Sequence, residues 1–219
     1  MWRLIGKDIH LLRSTLWTQA GVIVLVVGAA LLLREPMISF YALVLLSTYS
    51  LLILPLLTIA ILTAEEKNRG LLFLRTLPLR PGTIVAAKYL GTLILAAAAA
   101  AIISALAWLV ARVAPPGGSG TNFNYPMLVM WNLPLSGFLW LSGLNRGFKT
   151  AQNIVLAVYL GVFFVGFPVI TWLGLKPGAL IGLVFSPSLG QAVTVSGISL
   201  LFYGLEFLAA KVSFDRKEL

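Results

Sequence analysis

Few residues of this chain are of types that perform chemistry. It contains no Cys and a single His, His10, so neither a cysteine nucleophile, a Ser–His pair nor a metal site is predicted. No G-x-x-x-x-G-K-[ST] pattern is present, which excludes a P-loop for ATP. We therefore expect no enzymatic activity and no cofactor bound by this chain itself.

Acidic residues are almost absent from the long apolar runs, and Glu206 is the exception. An ionised carboxylate at the centre of a membrane helix costs about 2.5 to 3.5 kcal/mol. Because Glu206 lies five residues before Lys211, we favour a carboxylate that reaches the interface or pairs with another helix over a proton-coupling group. Transport by a proton or sodium relay is disfavoured, so a transporter of this composition needs an external motor.

One long polar interruption carries a recognisable pattern, and it covers residues 65–88, EEKNRGLLFLRTLPLRPGTIVAAK. Glu65 and Glu66 open it, and Gly70 permits a sharp change of backbone direction. The following LLFLRTL predicts a short helix with an apolar face, which Pro78 and Pro81 end. Such a face is covered either by lipid or by a partner protein.

Composition identifies the elements that must position this segment. The 219 residues are 59% hydrophobic and 11% charged, with a mean hydropathy of +0.98, so we predict an all-α integral membrane protein forming one domain, 1–219. Residues 1–14 predict an amphipathic helix in the interface plane, with Trp2, Ile5, Ile9 and Leu12 on its apolar face. Hydropathy predicts six spans, at about 16–33, 38–63, 83–113, 127–144, 154–172 and 192–210. An uncharged loop is expected at 114–126 and a re-entrant or interfacial element at 174–191.

The distribution of positive charge predicts the orientation. Of the 16 Lys and Arg, 13 lie on the side that carries both termini and the 65–88 stretch, and three, Arg34, Arg112 and Lys176, lie on the other. The positive-inside rule then places both termini in the cytoplasm, in a multi-pass protein of the cell membrane. The basic balance therefore indicates membrane lipid as a partner rather than nucleic acid.

The 65–88 pattern resembles that of the permease subunits of type-2 ABC exporters. The matching positions are Glu66, Gly70, Leu77-Pro78-Leu79, Arg80, Ile84 and Lys88-Tyr89-Leu90. The start, WRLIGKDIHLLR, resembles the N-terminal elbow helix of that family, and NRGFKTAQNI at 145–154 resembles its second cytoplasmic loop.

The resemblance implies a half-transporter. Two permease chains, identical or homologous, pair in the membrane, and two ABC ATPase subunits that bind ATP and Mg dock beneath them. Segment 65–82 is then a cytoplasmic coupling helix, whose expected ATPase contacts are Glu65, Glu66, Arg69, Gly70, Leu72, Phe73, Leu74, Arg75 and Pro78. The elbow-helix residues are Trp2, Arg3, Ile5, Lys7 and Asp8. The expected translocation path includes Thr48, Tyr49, Phe163, Phe164 and Phe167, and a hydrophobic or amphipathic cargo such as a lipid, peptide or drug is expected.

Two alternatives remain at the level of sequence. One is the membrane subunit of the cytochrome c maturation ABC complex, which has a similar length and a similar loop. The other is a membrane assembly factor or channel unrelated to ABC transporters, in which the 65–82 segment is only an interfacial helix.

Overall fold

The computed structural model describes residues 2–67, 81–113, 123–161, 172 and 187–216. The ordered elements in these ranges are helices, which confirms the all-α class. They are α1 (Trp2–Leu33), α2 (Pro36–Lys67), α3 (Pro81–Val113), α4 (Tyr125–Trp131), α5 (Leu133–Arg146), α6 (Phe148–Gly161) and α7 (Leu189–Asp215).

Five helical stretches are long and apolar enough to cross a membrane: Trp2–Leu33, Met37–Lys67, Gly82–Arg112, Tyr125–Asn145 and Leu189–Phe214. The chain is therefore a multi-pass membrane protein. The expected span 154–172 begins within α6, but most of its second half lies outside the described residues, so the count of six is not confirmed. The expected re-entrant element 174–191 lies mostly outside them too, and its last residues begin α7 behind a capping box of Ser188 and Gln191.

The N-terminal segment and the first span form one continuous helix, α1, rather than two elements that meet near residue 14. No proline interrupts the sequence there, so the sequence permits the backbone hydrogen bonds of the helix to continue. The buried face also differs from the expected one. Ile5 and Leu12 are buried together with Leu4, whereas Trp2 is 70% and Ile9 43% exposed.

The first three helices are longer than a membrane is thick. They contain 32, 32 and 33 residues, and at ~1.5 Å per residue each spans about 48 to 50 Å, against ~30 Å of hydrocarbon. Arg34, Glu35 and Arg112 mark one end of this bundle. Since charged residues avoid the hydrocarbon, the excess length projects on the opposite side, where α1 and α3 begin and α2 ends.

Two short breaks shape the hairpins. Arg34 has a φ of 51°, a left-handed conformation that ends α1 two residues before α2 begins. Between α4 and α5, Pro134 lacks the N–H that would continue the helical ladder, and Asn132 forms a turn there instead. The expected fourth span is consequently two helices in sequence.

The core lies where α2 and α3 meet α5. Trp140 and Leu62 are both fully buried. Helix α5 approaches α2 closely at Gly143. A Cβ added at Gly143 would lie 2.7 Å from Leu62 Cδ2 and 3.1 Å from Leu62 Cδ1. Helix α3 packs against α1, α2, α4, α5 and α7. It therefore connects the first two helices to the later ones.

We expect Gly143→Ala to lower the free energy of unfolding by about 1 to 3 kcal/mol, because buried Leu62 has no room to move away from the added methyl group. Gly197→Ala is the matched control, since its Cβ would meet no atom within 4 Å. Thermal unfolding of both variants in detergent measures the difference. Equal melting temperatures for the two variants would show that the α2–α5 approach is looser than described.

Candidate functional site

Four charged side chains meet where the projecting ends of α1, α2 and α3 come together, and we call Lys7, Asp8, Glu65 and Lys88 the ion cluster. Lys88 Nζ donates to Asp8 Oδ1 at 2.7 Å and Oδ2 at 2.8 Å, and to Glu65 Oε1 at 2.6 Å. Lys7 Nζ donates to the same Glu65 oxygen at 2.9 Å. Two positive and two negative groups therefore balance within the chain.

Burial makes the ion cluster unusual. Lys88 and Glu65 are each 1% exposed and Asp8 is 4% exposed. Isolated charges pay a large desolvation penalty in such a place, which close pairing and hydrogen bonding offset. Lys7 lies at the rim, with a third of its side chain exposed. The three buried members are thus held together by their ion pairs with one another.

Trp140 of α5 also contacts Lys88 and the turn of α3 that follows it. Its ammonium lies 5.2 Å from the centre of the Trp140 ring, within the range of a cation–π contact. Trp140 Nε1 donates to Thr92 Oγ1 at 2.8 Å, and Thr92 Oγ1 donates to the carbonyl of Lys88 at 3.0 Å. These contacts fix α3 against α5 one turn from the ion cluster.

Tyr89, the next residue along α3, connects α3 to the last helix. Tyr203 of α7 donates its hydroxyl to the Tyr89 carbonyl at 2.8 Å, and the Tyr89 hydroxyl donates to the Gly137 carbonyl of α5 at 2.8 Å. The two rings also pack with their centroids 5.0 Å apart. Glu206 lies against Gly137 from α7, and its buried Oε2 has no hydrogen-bond partner in the part of the chain that is described.

The ion cluster contains residues from both helices that flank residues 68–80. Glu65 lies in the last turn of α2, just before that stretch, and Lys88 lies in the second turn of α3, just after it. Asp8 attaches α1 to the same point. The Lys88–Glu65 and Lys88–Asp8 pairs therefore join the two helices that flank the stretch to each other and to α1.

Two acidic residues that the sequence analysis singled out are buried inside the chain. Glu65 was expected to face basic groups of an ATPase, but its carboxylate is inside the chain and pairs with two lysines of its own. The reason is helical phase, because Glu65 is on the buried face of α2 while neighbouring Glu66 is exposed. Asp8, expected only as a member of an elbow helix, is also buried.

The other expected site residues are partly described. Arg3 is exposed on α1. Thr48 is exposed, and its hydroxyl donates a hydrogen bond to the Val44 carbonyl of the same helix. Tyr49 is half-buried, and its hydroxyl donates to Gln19 Oε1 of α1 at 2.7 Å. The remaining coupling and path residues lie outside the described part of the chain: Arg69, Gly70, Leu72, Phe73, Leu74, Arg75, Pro78, Phe163, Phe164 and Phe167.

Sequence reasoning did not pair Asp8 with Lys88. A signal was available, since Asp8 lies four residues from both Leu4 and Leu12 and so shares their buried face. An ionised acid on an apolar helical face needs a buried cation or hydrogen-bond donors. Nothing local identified Lys88, which is 80 positions away. No metal site emerges either: the described ranges hold no group of three or more His, Asp or Glu close enough to bind an ion.

These features define a polytopic helical membrane protein whose charged centre lies at the end of its bundle. A family model described as "ABC-2 family transporter protein" matches residues 3–209, so the chain belongs to the ABC-2 transporter family. Comparisons with curated proteins and with solved structures returned no match. Members of this family are membrane components of transporters, not ATPases themselves, and they work with an ABC ATPase, generally as dimers.

Removing one member of the ion cluster leaves a buried charge without its partner. We expect Lys88→Met to lower the free energy of unfolding by about 3 to 5 kcal/mol, because Asp8 and Glu65 lose the ammonium between them. Lys67→Met is the control, since that lysine is exposed.

The triple variant Lys88→Met, Asp8→Asn, Glu65→Gln removes the unpaired carboxylates and should recover most of the loss. Thermal unfolding in detergent ranks the three proteins. A single Lys88→Met variant as stable as Lys67→Met would show that the ion cluster is hydrated.

Proposed function

We propose that this chain is the membrane permease subunit of an ATP-driven ABC exporter and transmits ATPase movement through the ion cluster. In this assembly two permease chains form the translocation path, and two separate ATPase subunits carry ATP and Mg. The observation that supports it best is the closure of both flanks of residues 68–80 onto α1 by Lys88, Glu65 and Asp8. Membership of the ABC-2 family supplies the class of motor.

Stretch 68–80 is the proposed docking element. Phe73 and its leucine neighbours enter a groove of the ATPase, and Arg69 and Arg75 meet acids at its rim. Glu66, which is exposed at the end of α2, remains available to a basic group of the ATPase. Glu65 has a different role here, since it connects the docking element to α1 and α3.

Transmission then follows the contacts of α3. A push on the docking element reaches Lys88, and through it α1 and α2 move with α3. Tyr89 and Thr92 transfer the same displacement to α5, and Tyr203 transfers it to α7. Buried hydrogen bonds and close packing make these helices respond together.

The orientation follows from charge. The end of the bundle that carries the ion cluster also carries most of the Lys and Arg, so it faces the cytoplasm by the positive-inside rule, in the cell membrane. The apolar, sparsely charged spans suit a hydrophobic or amphipathic cargo. An ATPase gene beside genes for haem attachment would indicate the cytochrome c maturation complex instead.

Docking is tested by co-expression of this chain with its candidate ATPase. We expect Phe73→Asp and Leu74→Asp each to abolish co-purification of the ATPase, because a carboxylate in an apolar groove is desolvated without a partner. Ser119→Asp, which adds the same charge to the expected loop on the far side, should co-purify as the parent does. If both coupling variants retain the ATPase at parental stoichiometry, residues 68–80 are not the docking element.

A further inference from the structure

The inner face of α1 is closed at two levels and open between them. Leu12 and Ala30 share one face of this helix, and they are only 1% and 2% exposed. Gln19 and Ile23 lie on the same face between those two residues, yet both are only half-buried. Helix α2 meets this opening with Tyr49, which is half-buried too. A recess with walls from two helices therefore lies between α1 and α2.

Gln19 places an amide with unused donors in this recess. Its Oε1 accepts a hydrogen bond from the Tyr49 hydroxyl at 2.7 Å. Its side-chain nitrogen carries two N–H groups, and within the described part of the chain that nitrogen donates to no acceptor. Leu16 and Ile23, one turn before and one turn after Gln19, add apolar surface. The recess therefore combines a free hydrogen-bond donor with apolar walls.

The depth of the recess places it inside the membrane. Ile23 lies 11 residues before Arg34, so at ~1.5 Å per residue it is ~16 Å from that end of the bundle, near the middle of ~30 Å of hydrocarbon. Gln19 lies one turn nearer the ion cluster. Polar side chains at such depths face protein or a water-filled cavity rather than lipid. By contrast, α3 exposes Ala98 and Ala101 at matching depths, an apolar surface that suits lipid.

We propose that this recess is part of the translocation path and that Gln19 holds the polar group of the cargo there. Its N–H groups donate to an acceptor oxygen of an amphipathic molecule, whose apolar part lies along Leu16 and Ile23. Tyr49 fixes the amide by occupying its oxygen, which leaves the two N–H groups for the cargo. This assignment rests on the proposed exporter function, and it adds α1 to a path expected from α2.

Cysteine accessibility tests the recess, because the chain has no Cys of its own. Membrane vesicles that contain the chain and its candidate ATPase are treated with the charged reagent trimethylammonioethyl methanethiosulfonate. This reagent reacts with thiolates, which form where water reaches the thiol. We expect Ile23→Cys to be modified. Ala101→Cys is the matched control, exposed on α3 and 11 residues before Arg112, and it should stay unmodified.

Two amphiphiles with the same alkyl chain test the role of Gln19. Dodecyldimethylamine oxide carries an acceptor oxygen, and dodecyltrimethylammonium carries none. Below their micellar concentrations, the amine oxide should slow modification of Ile23→Cys about fivefold more than the ammonium does, as one net hydrogen bond provides. Gln19→Leu in the same background should remove that difference. Gln152→Leu, which removes an exposed amide on α6, should preserve it.

The outcomes separate this proposal from the exporter function. Unmodified Ile23→Cys would overturn the recess, and a disulfide between two such chains would assign this face to a contact between permease copies instead. Equal protection by both amphiphiles, or a difference that persists in Gln19→Leu, would overturn the role of Gln19. Addition of ATP and vanadate should reduce modification of Ile23→Cys. Modification that ATP and vanadate leave unchanged would support the recess and contradict the ATP-driven mechanism.

Discussion

A lysine ammonium with 1% of its residue exposed is stable in a protein only if anions reach it, and Lys88 obtains two, from two different helices. That constraint organises the end of the bundle. Asp8 must be on the inner face of α1, Glu65 on the inner face of α2, and Lys88 between them on α3. None of the three can leave the site alone, because the remaining charges would be buried without compensation.

This requirement is the physical basis for the coupling role proposed for this end of the molecule. A segment that connects two membrane helices can pass a force to the rest of a bundle only if those two helices are joined to their neighbours. Here α2 and α3, the helices that flank residues 68–80, are joined to each other and to α1 by ion pairs of 2.6 and 2.7 Å. The Tyr89–Tyr203 and Trp140–Thr92 contacts extend that rigidity to α7 and α5. In the proposed mechanism, these contacts pass movement of the docking element to the helices within the membrane.

Much of this architecture is readable from hydropathy, since long apolar runs have few alternatives to membrane helices. The polar stretch was equally visible, because Gly70, Pro78 and Pro81 interrupt an otherwise apolar chain. The ion cluster was not. Pairing Asp8 with Lys88 requires knowing how α1 and α3 pack, and burying Glu65 while exposing Glu66 depends on a rotation of about 100° per residue along α2. The continuity of α1 past residue 14 likewise depends on its packing, because the amphipathic pattern of residues 1–14 fits a separate helix equally well.

In the proposed mechanism, Glu65 transmits nucleotide-driven movement from the docking element to α1 and α3. Since the chain has no Cys, spin labels can be attached at Leu33→Cys and Val193→Cys, both exposed at the far ends of α1 and α7. In the complex with its ATPase, adding ATP and vanadate should change the distance between the labels in the parent and in Glu66→Gln. The same addition should leave it unchanged in Glu65→Gln, although that complex still assembles and hydrolyses ATP. A full parental change in Glu65→Gln would contradict the account.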